Sequence, residues 1–274
     1  MRADLHTHTT ASDGTVTPAG LVALALDRGL DVLAITDHDS VEGLAAAAEA
    51  AIGTSLLLIP GVELSAVHEG RDVHVLGYFV DAEDPRLLGH LTDLRAARMR
   101  RARSMVDALA EAGYDVTLDE VLALSDGGAI GRSHIARALV RKGHADTVAD
   151  AFGRLIGRGR PFYVGKDVRS PDEVVGVIND AGGIAVLAHP AVSGVEDLIG
   201  PLQEIGLGGV EAYHADHSEE QRARLAALAR QQGLLVTGGT DYHGPHAPNP
   251  DVGDVAVPPE AVDALLAAGQ KLSR

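Results

Sequence analysis

Short apolar runs alternate with amphipathic helical stretches along most of this 274-residue chain. This alternation restricts the fold more than any other feature, because strand–helix–strand units place their strands side by side in a parallel sheet. Thr17 before Pro18 marks the start of one helical stretch, and Ser170 with Glu173 marks another. Seven strands are predicted, at residues 3–8, 31–36, 55–64, 73–79, 184–188, 209–213 and 234–238. The repetition predicts an α/β fold, as a barrel or a doubly wound sheet.

Residue types that bind metal ions fall at the ends of these apolar runs. Six strand regions carry them: His6 and His8 with Asp13, Asp37 with His38, Glu63, His74, His189, and Asp241 with His243. The carboxyl ends of parallel strands meet on one face, where active sites are built, so we expect these side chains to converge. Each residue alone has an ordinary explanation as a polar loop residue, but six matched positions favour a shared site.

The stretch DLHTHTTASDG at residues 4–14 shows why the spacing matters. Side chains at i and i+2 of a strand leave the same face about 6.6 Å apart, so His6 and His8 can bind one ion. Asp4 is placed to orient one of the two rings from behind. The alternative is a pair of polar residues on a solvated strand face.

The chain contains no cysteine, which excludes disulfides, thiolate metal sites and cysteine nucleophiles. Any metal must therefore be bound by nitrogen and oxygen. Nine candidate ligands, at three or four per ion, fit two or three ions better than one. A carboxylate can bridge two ions, and Glu63 is the expected bridge. The predicted metal ligands are His6, His8, Asp13, His38, Glu63, His74, His189, Asp241 and His243.

The net charge of −16 argues against a protein that coats duplex nucleic acid. The charge is uneven, because residues 91–169 hold 14 of the 23 basic residues but 10 of the 39 acidic ones. This middle segment is suited to an anionic substrate. The first residues lack a signal-peptide pattern and no apolar run approaches the ~20 residues of a membrane helix, so we expect a cytoplasmic protein without a membrane partner.

The middle segment also breaks the strand–helix alternation, since only helical patterns follow one another there. We expect residues 86–164 to form an inserted, all-helical substrate-binding domain, and residues 1–85 and 165–274 to form the barrel. Five arginines are spread all round its first helix, and most are expected to be solvated: Arg95, Arg98, Arg100, Arg101 and Arg103.

Within that segment, GRSHIARALV predicts an anion site. Ser133 is the expected N-cap, which leaves backbone N–H groups free at a helix start with Arg132 and His134 beside them. Lys166 follows the segment and is placed to reach the same phosphate. The alternative is an ordinary helix start and a surface lysine.

The remaining histidines give weaker signals. His214 and His217 follow another strand end, where they line the pocket or cap the next helix. The others have no matching context and are expected at the surface: His68, His90, His144 and His246.

The motifs DLHTHT, TDHD, GVE at 61–63, AHP at 188–190 and DYH at 241–243 resemble, in order and spacing, those of the polymerase and histidinol phosphatase (PHP) family. The resemblance covers the chain outside the helical segment. It implies a distorted (β/α)7 TIM-like barrel with three divalent metal ions at its C-terminal face, and hydrolysis of phosphate esters.

The resemblance also implies how the ligands divide among the ions. The first ion takes His6, His8, Glu63 and Asp241; the second takes Glu63, His74 and His189; the third takes Asp13, His38 and His243. Asp13 stands where histidinol phosphatase relatives often have histidine, so the resemblance favours the subgroup that acts on nucleoside 3′,5′-bisphosphates and on short oligonucleotides from the 5′ end.

Together these features predict a metal-dependent phosphoesterase in which a metal-bridging hydroxide attacks phosphorus. Manganese, iron, zinc and magnesium all suit the ligand set. The alternatives are a phosphatase for another small metabolite such as histidinol phosphate, a deaminase-like amidohydrolase, and a catalytically silent metal-binding module. An amidohydrolase usually has a lysine carbamate at a strand end, and no lysine stands there. The general acid and the oligomeric state are left open.

Overall fold

A computed structural model describes residues 1–125, 127–165, 169–245, 247 and 249–272. Seven strands form one sheet in chain order: β1 Ala3–Asp4, β2 Val32–Ile35, β3 Leu57–His68, β4 Arg71–Tyr78, β5 Ile184–Leu187, β6 Gly209–His214 and β7 Leu235–Gly239. The described α-helices are α1 Pro18–Asp27, α2 Leu44–Ala51, α3 Pro85–Glu111, α4 Leu118–Ser125, α5 Arg132–Arg141, α6 Val148–Ala151, α7 Pro171–Asp180, α8 Pro190–Ser193, α9 Ile199–Glu204, α10 Glu219–Gln231 and α11 Pro259–Leu272. A π-helix, Phe152–Ile156, continues α6.

One strand runs against the others. Strands β1 to β3 are mutually parallel, as are β5 to β7, whereas β4 is antiparallel to both of its neighbours. The expected repeat of strand and helix fails between β3 and β4 because Glu69 and Gly70 form a two-residue turn. Both residues have positive φ, 48° and 74°, which is the backbone of a tight hairpin turn. The first residues of β4 therefore lie at the same end of the sheet as the last residues of the parallel strands.

The two edges of the sheet approach each other. Leu5 N–H donates to Gly238 O at 3.2 Å, and His8 N–H donates to Tyr242 O at 2.9 Å. The sheet is thereby nearly closed into a barrel with helices on its outside. The predicted fold class, an α/β barrel of the distorted (β/α)7 type, is confirmed.

The buried apolar side chains form two clusters. One fills the barrel and the layer between the sheet and its helices. The other lies among α3, α4, α5 and the helical turns that follow them. Helix α3 belongs to both, since Leu87 and Leu94 pack in the barrel cluster whereas Met105 and Leu109 pack in the second. The change of core falls inside α3, and the division of the chain into residues 86–164 and the barrel stays a prediction.

The helix starts follow the capping signals in the sequence. Thr17 Oγ1 accepts a hydrogen bond from Gly20 N–H at 3.1 Å, and the Glu173 carboxylate accepts one from Ser170 N–H at 3.1 Å. Helix α3 has 27 residues, but charged side chains occur along its length. None of the helices in the described ranges combines the length of a membrane span with its apolar character.

Candidate active site

The nine predicted ligands lie together at the end of the barrel where the parallel strands finish. His6 and His8 follow β1, His38 follows β2, and His189 follows β5. His74 reaches the same place from the fourth position of β4, because that strand runs in the opposite direction. The convergence expected from the strand ends is therefore present in the structure.

Glu63 stands at the centre of this group and has no exposed surface. Its Oε2 atom lies 3.4 Å from His6 Nε2, 3.3 Å from His8 Nε2 and 2.9 Å from His38 Nδ1. Its Oε1 atom lies 2.7 Å from His74 Nδ1 and 3.2 Å from His189 Nε2. Two sets of imidazoles thus face the two oxygens of one carboxylate, which is the arrangement expected of a bridging ligand.

Asp241 and Asp13 complete the group on its other sides. Asp241 Oδ1 lies 2.9 Å from His8 Nε2, and Asp13 Oδ1 lies 3.2 Å from His243 Nε2. Among the nine predicted ligands, three sets of donor atoms lie close enough to share an ion: His6, His8, Glu63 and Asp241; His38, Glu63 and His74; and His8, Asp13, His38 and His243. The first set is the one that the family resemblance implied. The second has His38 in place of His189, and the third has His8 in addition to the implied residues. A further set, His6, Glu211 and His214, includes two residues that were not predicted as ligands.

These donor atoms fit divalent cations. Several buried atoms of the cluster make no hydrogen bond of good geometry to any described residue, among them His6 Nε2, His8 Nε2, Asp13 Oδ1, His38 Nδ1 and Glu63 Oε2. Buried polar atoms in folded proteins nearly always have a hydrogen-bond partner, so several unsatisfied ones aimed at common points indicate bound ions. Mixed imidazole and carboxylate donors suit manganese, iron, zinc and magnesium. The assignment of the nine residues as ligands stays a prediction.

The charges of the cluster favour bound cations as well. Burial raises the pKa of Glu63, but His38 and His74 outweigh burial and hold that pKa well below its usual range. Burial lowers the pKa of His243, but Asp13 and Asp241 outweigh it and raise that pKa to about 10. Burial, His243 and His38 lower the pKa of His8 to about 4.

A cavity of about 380 Å³ opens beside the cluster, between the barrel and the helices α3 and α5. Residues of the cluster line one wall, namely Asp13, His38, His74 and His243. Four arginines also line the cavity, namely Arg98, Arg101, Arg132 and Arg137. Val148 and Phe152 add an apolar surface. The cavity therefore brings candidate metal ligands, cationic side chains and an apolar surface to one enclosed volume.

Residues 4–160 match the PHP domain. The chain belongs to the PHP family. It is 37% identical over 249 residues to the 5′-3′ exoribonuclease Rnm of Escherichia coli strain K12, which covers 88% of this chain and 85% of that protein. It is 36% identical to the 3′,5′-nucleoside bisphosphate phosphatase of Chromobacterium violaceum, over 91% of this chain and 90% of that one.

A solved structure from Bifidobacterium adolescentis, described as a candidate metal-dependent phosphoesterase, is similar over the whole fold. It has a TM-score of 0.90 and 36% identity, and the match covers 97% of this chain and 95% of that one. The predicted PHP membership is confirmed, and so is the predicted class of enzyme, a phosphoric ester hydrolase.

The predicted substrate-binding residues of this PHP protein have different positions. Arg132 lines the cavity, with its guanidinium 5.5 Å from the Phe152 ring centre. Ser133 also lines it, but Gly131 is the N-cap of α5 and the Ser133 hydroxyl donates to Asp13 Oδ2 at 2.5 Å. The expectation that Ser133 caps α5 is therefore wrong. Lys166 lies outside the described residues.

His134 does not reach the cavity. Its side chain is buried, and its Nδ1 accepts a hydrogen bond from Gly131 N–H at 3.0 Å. Burial lowers the pKa of His134 to about 4, although Asp13 opposes the shift. His134 thus closes the start of α5, since an imidazole in the third helical position can accept the N-cap N–H.

The expectation that most of the five α3 arginines are solvated is wrong. Only Arg100 and Arg103 are exposed. Arg98 donates to Asp39 Oδ2 at 2.5 Å and to Ser65 Oγ at 3.1 Å. The periodicity of charges around α3 hid this contact, because its partners lie on the barrel and are distant in sequence.

Arg137 is a functional residue that the sequence reasoning missed. Its Nε and Nη2 atoms are buried and make no hydrogen bond to a described residue. Burial lowers the pKa of this guanidinium, whereas Asp13 opposes the shift. Its signal was its position four residues after Ser133, which places the two side chains on the same face of α5.

The expected role of Asp4 is wrong. Asp4 accepts hydrogen bonds from Thr240 N–H and Oγ1–H at 3.0 and 2.6 Å, from Gly253 N–H at 2.9 Å and from the backbone N–H of His6 at 3.4 Å, and none of its hydrogen bonds among the described residues goes to an imidazole ring. Glu211 has the role that was expected of Asp4, since its Oε1 atom lies 3.0 Å from His6 Nδ1. A charged residue within an apolar strand was the available signal for Glu211.

Among the other histidines, His214 faces the cluster rather than capping a helix. It ends β6, and its Nε2 atom lies 3.6 Å from Asp241 Oδ2. Ser218 caps α10, and His217 is buried against Ala212 O. His90 was expected at the surface but is buried. His246 lies outside the described residues.

Proposed function

We propose that this PHP protein hydrolyses phosphate esters of small nucleotides. Its principal substrates are nucleoside 3′,5′-bisphosphates, from which it releases the 3′-phosphate, and it also shortens short oligonucleotides. The observation that carries the proposal is the cavity, in which the metal-binding cluster faces the group of arginines. The named activities of the relatives at 36 and 37% identity support the same substrate class.

Three divalent ions, manganese, iron, zinc or magnesium, would be held by the nine residues around Glu63. Bound ions of this kind supply a water of lowered pKa as nucleophile and positive charge for the phosphoryl oxygens. Glu63 holds the centre through both of its oxygens, and Asp13 and Asp241 hold the two sides. The chemistry needs no side-chain nucleophile, in agreement with the lack of cysteine.

The arginines would bind the second phosphate. Arg137 presents two buried nitrogen atoms without a described partner, and Arg101 Nη2 is in the same condition. Burial, Arg132 and Arg98 lower the pKa of Arg101 to about 10, which reflects several cations close together. A phosphate dianion would relieve this repulsion and accept paired N–H donors from the guanidinium groups.

The nucleoside would lie between the two phosphate positions. Phe152 and Val148 give the cavity an apolar wall on the side of α6, and the π-helix that begins at Phe152 turns this ring toward Arg132. Aromatic side chains commonly stack on bases. The domain of residues 86–164 would thus supply the substrate contacts, and the barrel would supply the metal ligands.

The nucleotide is favoured over histidinol phosphate by the charge of the cavity. Asp13 is the one carboxylate among the described residues that line it, against four arginines. Histidinol phosphate carries an amine and an imidazole, and a cavity built for it would present carboxylates to those cations.

Assays of the metal-loaded protein test the proposal, with inorganic phosphate measured for the monoesters and released mononucleotide measured for the oligonucleotide. The panel contains adenosine 3′,5′-bisphosphate, histidinol phosphate, 4-nitrophenyl phosphate and a 5′-phosphorylated trinucleotide. We expect the bisphosphate to give the highest kcat/KM, and we expect chelation of the ions to abolish turnover until manganese is restored. A preference for histidinol phosphate, or full activity after the ions are removed, would contradict the proposal.

A further inference from the structure

We propose that Glu211 is a positioning residue that fixes His6 and His189 for metal binding and so sets the affinity of the site for its ions. This inference rests on the metal centre of the proposed function. Glu211 lies inside β6, behind the cluster, and has no exposed surface. It is not one of the nine predicted ligands, although its carboxylate lies near donor atoms of His6 and His214.

The two oxygens of Glu211 are used on two different histidines. Oε1 lies 3.0 Å from His6 Nδ1, and Oε2 accepts the backbone N–H of His189 at 2.9 Å. A buried carboxylate with both oxygens engaged has a fixed orientation. The two histidines that it holds are the ones that face opposite oxygens of Glu63.

The contact with His6 decides which ring nitrogen carries the proton. A carboxylate acceptor at Nδ1 keeps the proton on that atom, so the lone pair is left on Nε2. His6 Nε2 lies 3.4 Å from both Glu63 Oε2 and Asp241 Oδ1, at the point where the first ion is expected. Glu211 therefore holds His6 in the tautomer that can bind this ion.

The contact with His189 holds a strained backbone. His189 has φ 29° and ψ 53°, a left-handed conformation, and it precedes Pro190. A residue before proline prefers the extended region, so this conformation needs support from its surroundings. The bond from His189 N–H to Glu211 gives that support, and Ser193 Oγ lies 3.1 Å from His189 Nδ1 and fixes the ring.

A fourth ion among His6, Glu211 and His214 is the alternative, since their donor atoms lie within 4.8 Å of one another. It would require His6 to bind ions through both nitrogens. His214 Nδ1 already accepts Asp216 N–H at 3.1 Å, and its Nε2 faces Asp241. The hydrogen bonds already formed by Glu211 therefore favour positioning over a further ion.

The substitution Glu211→Gln tests the two contacts, because it leaves the size and the burial of the side chain nearly unchanged. An amide has one acceptor oxygen, so it can serve His189 N–H or the His6 Nδ1 proton but not both. If the oxygen stays on His189, the amide N–H₂ faces His6 and moves the imidazole proton to Nε2. If the amide turns, its N–H₂ faces the His189 N–H and removes the support of the backbone.

The test measures ion binding without turnover. Metal-free protein is titrated with manganese in competition with a fluorescent chelator, and ¹⁵N-histidine spectra of the zinc-loaded protein report the His6 tautomer. We expect three ions per wild-type chain with an Nδ1-protonated His6. We expect at least one ion to bind Glu211→Gln 10- to 100-fold more weakly, as is typical when the carboxylate behind a histidine ligand is lost.

Tyr78→Phe is the matched control. It deletes another fully buried polar contact of the barrel, the bond from Tyr78 Oη to Leu5 O, and removes neither of the two Glu211 contacts. Its ion affinity should equal that of the wild type. Glu211→Asp, which keeps the charge but shortens the reach, should weaken binding as the Gln variant does, and it replaces that variant if the latter does not fold.

The outcomes separate the two proposals. Unchanged affinity in the Glu211 variants, an equal loss in Tyr78→Phe, or four ions in the wild type would overturn the role of Glu211. Failure of the wild-type chain to bind any divalent ion would instead overturn the proposed function.

Discussion

Replacing Arg98 with methionine should destabilise the protein strongly. Arg98 links α3 to the barrel, and its side chain is 13% exposed whereas that of Asp39 is fully buried. The substitution leaves the Asp39 carboxylate in the interior with Ser65 N–H, at 2.8 Å, as its remaining described hydrogen-bond donor. Removal of one partner of a buried ion pair costs about 3–5 kcal/mol, because the other charge is left uncompensated.

The magnitude can be measured by urea unfolding at pH 7 with a fixed metal concentration. At roughly 2–4 °C per kcal/mol, the same loss lowers the thermal midpoint by roughly 6–20 °C. Arg103→Met, an exposed position on the same helix, is the control and should change stability by less than about 0.5 kcal/mol. The double variant Arg98→Met with Asp39→Asn should recover much of the loss, because no buried charge remains.

The pH dependence of this pair has a defined sign. Burial raises the pKa of Asp39, but Arg98 and Ser65 N–H outweigh it and leave that pKa below its ordinary value of 3.8. The pair therefore stabilises the fold above about pH 4, and this contribution is lost as the pH falls through the folded-state pKa. Equal stability of the Arg98 and Arg103 variants, or a double variant as unstable as the sum of its parts, would refute the reasoning.

Three further predictions concern the cavity, the start of α5 and the ions. In steady-state assays, Arg132→Ala should raise the KM for adenosine 3′,5′-bisphosphate far more than that for 4-nitrophenyl phosphate, because only the bisphosphate has a second phosphate for Arg132 to contact. His134→Asn should gain stability relative to the wild type as the pH falls from 6.5 toward 4, by up to about 1.4 kcal/mol per pH unit in urea unfolding, because the wild-type fold must keep this histidine neutral. Chelation should lower the thermal midpoint, since ions that bind only the folded chain at 100 times their Kd add about 2.7 kcal/mol.

Each of these has a distinct contrary result. Equal KM changes for the two substrates would exclude Arg132 from binding the second phosphate. A stability difference between wild type and His134→Asn that stays constant between pH 7 and 4 would show that His134 is not held neutral. A thermal midpoint unaffected by chelation would mean that the cluster binds no ion tightly.

The convergence of the candidate ligands could be predicted because parallel strands all present their ends to one face. His38, Glu63 and His189 each follow or end an apolar run, so their positions in the sequence were enough to predict that they lie on one face of the barrel. His74 was found for a different reason, since it stands near the start of its strand and reaches the face only because β4 is reversed. The sequence HEGRD at 68–72 held the signal for that reversal, a two-residue turn ending in glycine.

The supporting contacts could not be predicted in the same way. Glu211 and Arg98 each act through a partner that is distant along the chain, on another strand or on the barrel. Periodicity reports which face of an element is buried, but it does not report which charge meets which across two elements. The N-cap of α5 was misplaced for a similar reason, because the Ser133 hydroxyl is committed to Asp13.

The shared position of α3 in two cores has a mechanical consequence. A continuous helix of 27 residues, roughly 40 Å long, carries the cavity residues Arg98 and Arg101 out of the barrel without an intervening loop. Adding one residue between Leu94 and Ala102 would rotate everything beyond it by about 100° and swing Met105 away from its neighbours. Insertions or deletions in this stretch of α3 should therefore be poorly tolerated. Among PHP relatives of this kind, insertions and deletions should occur in the loops after α3.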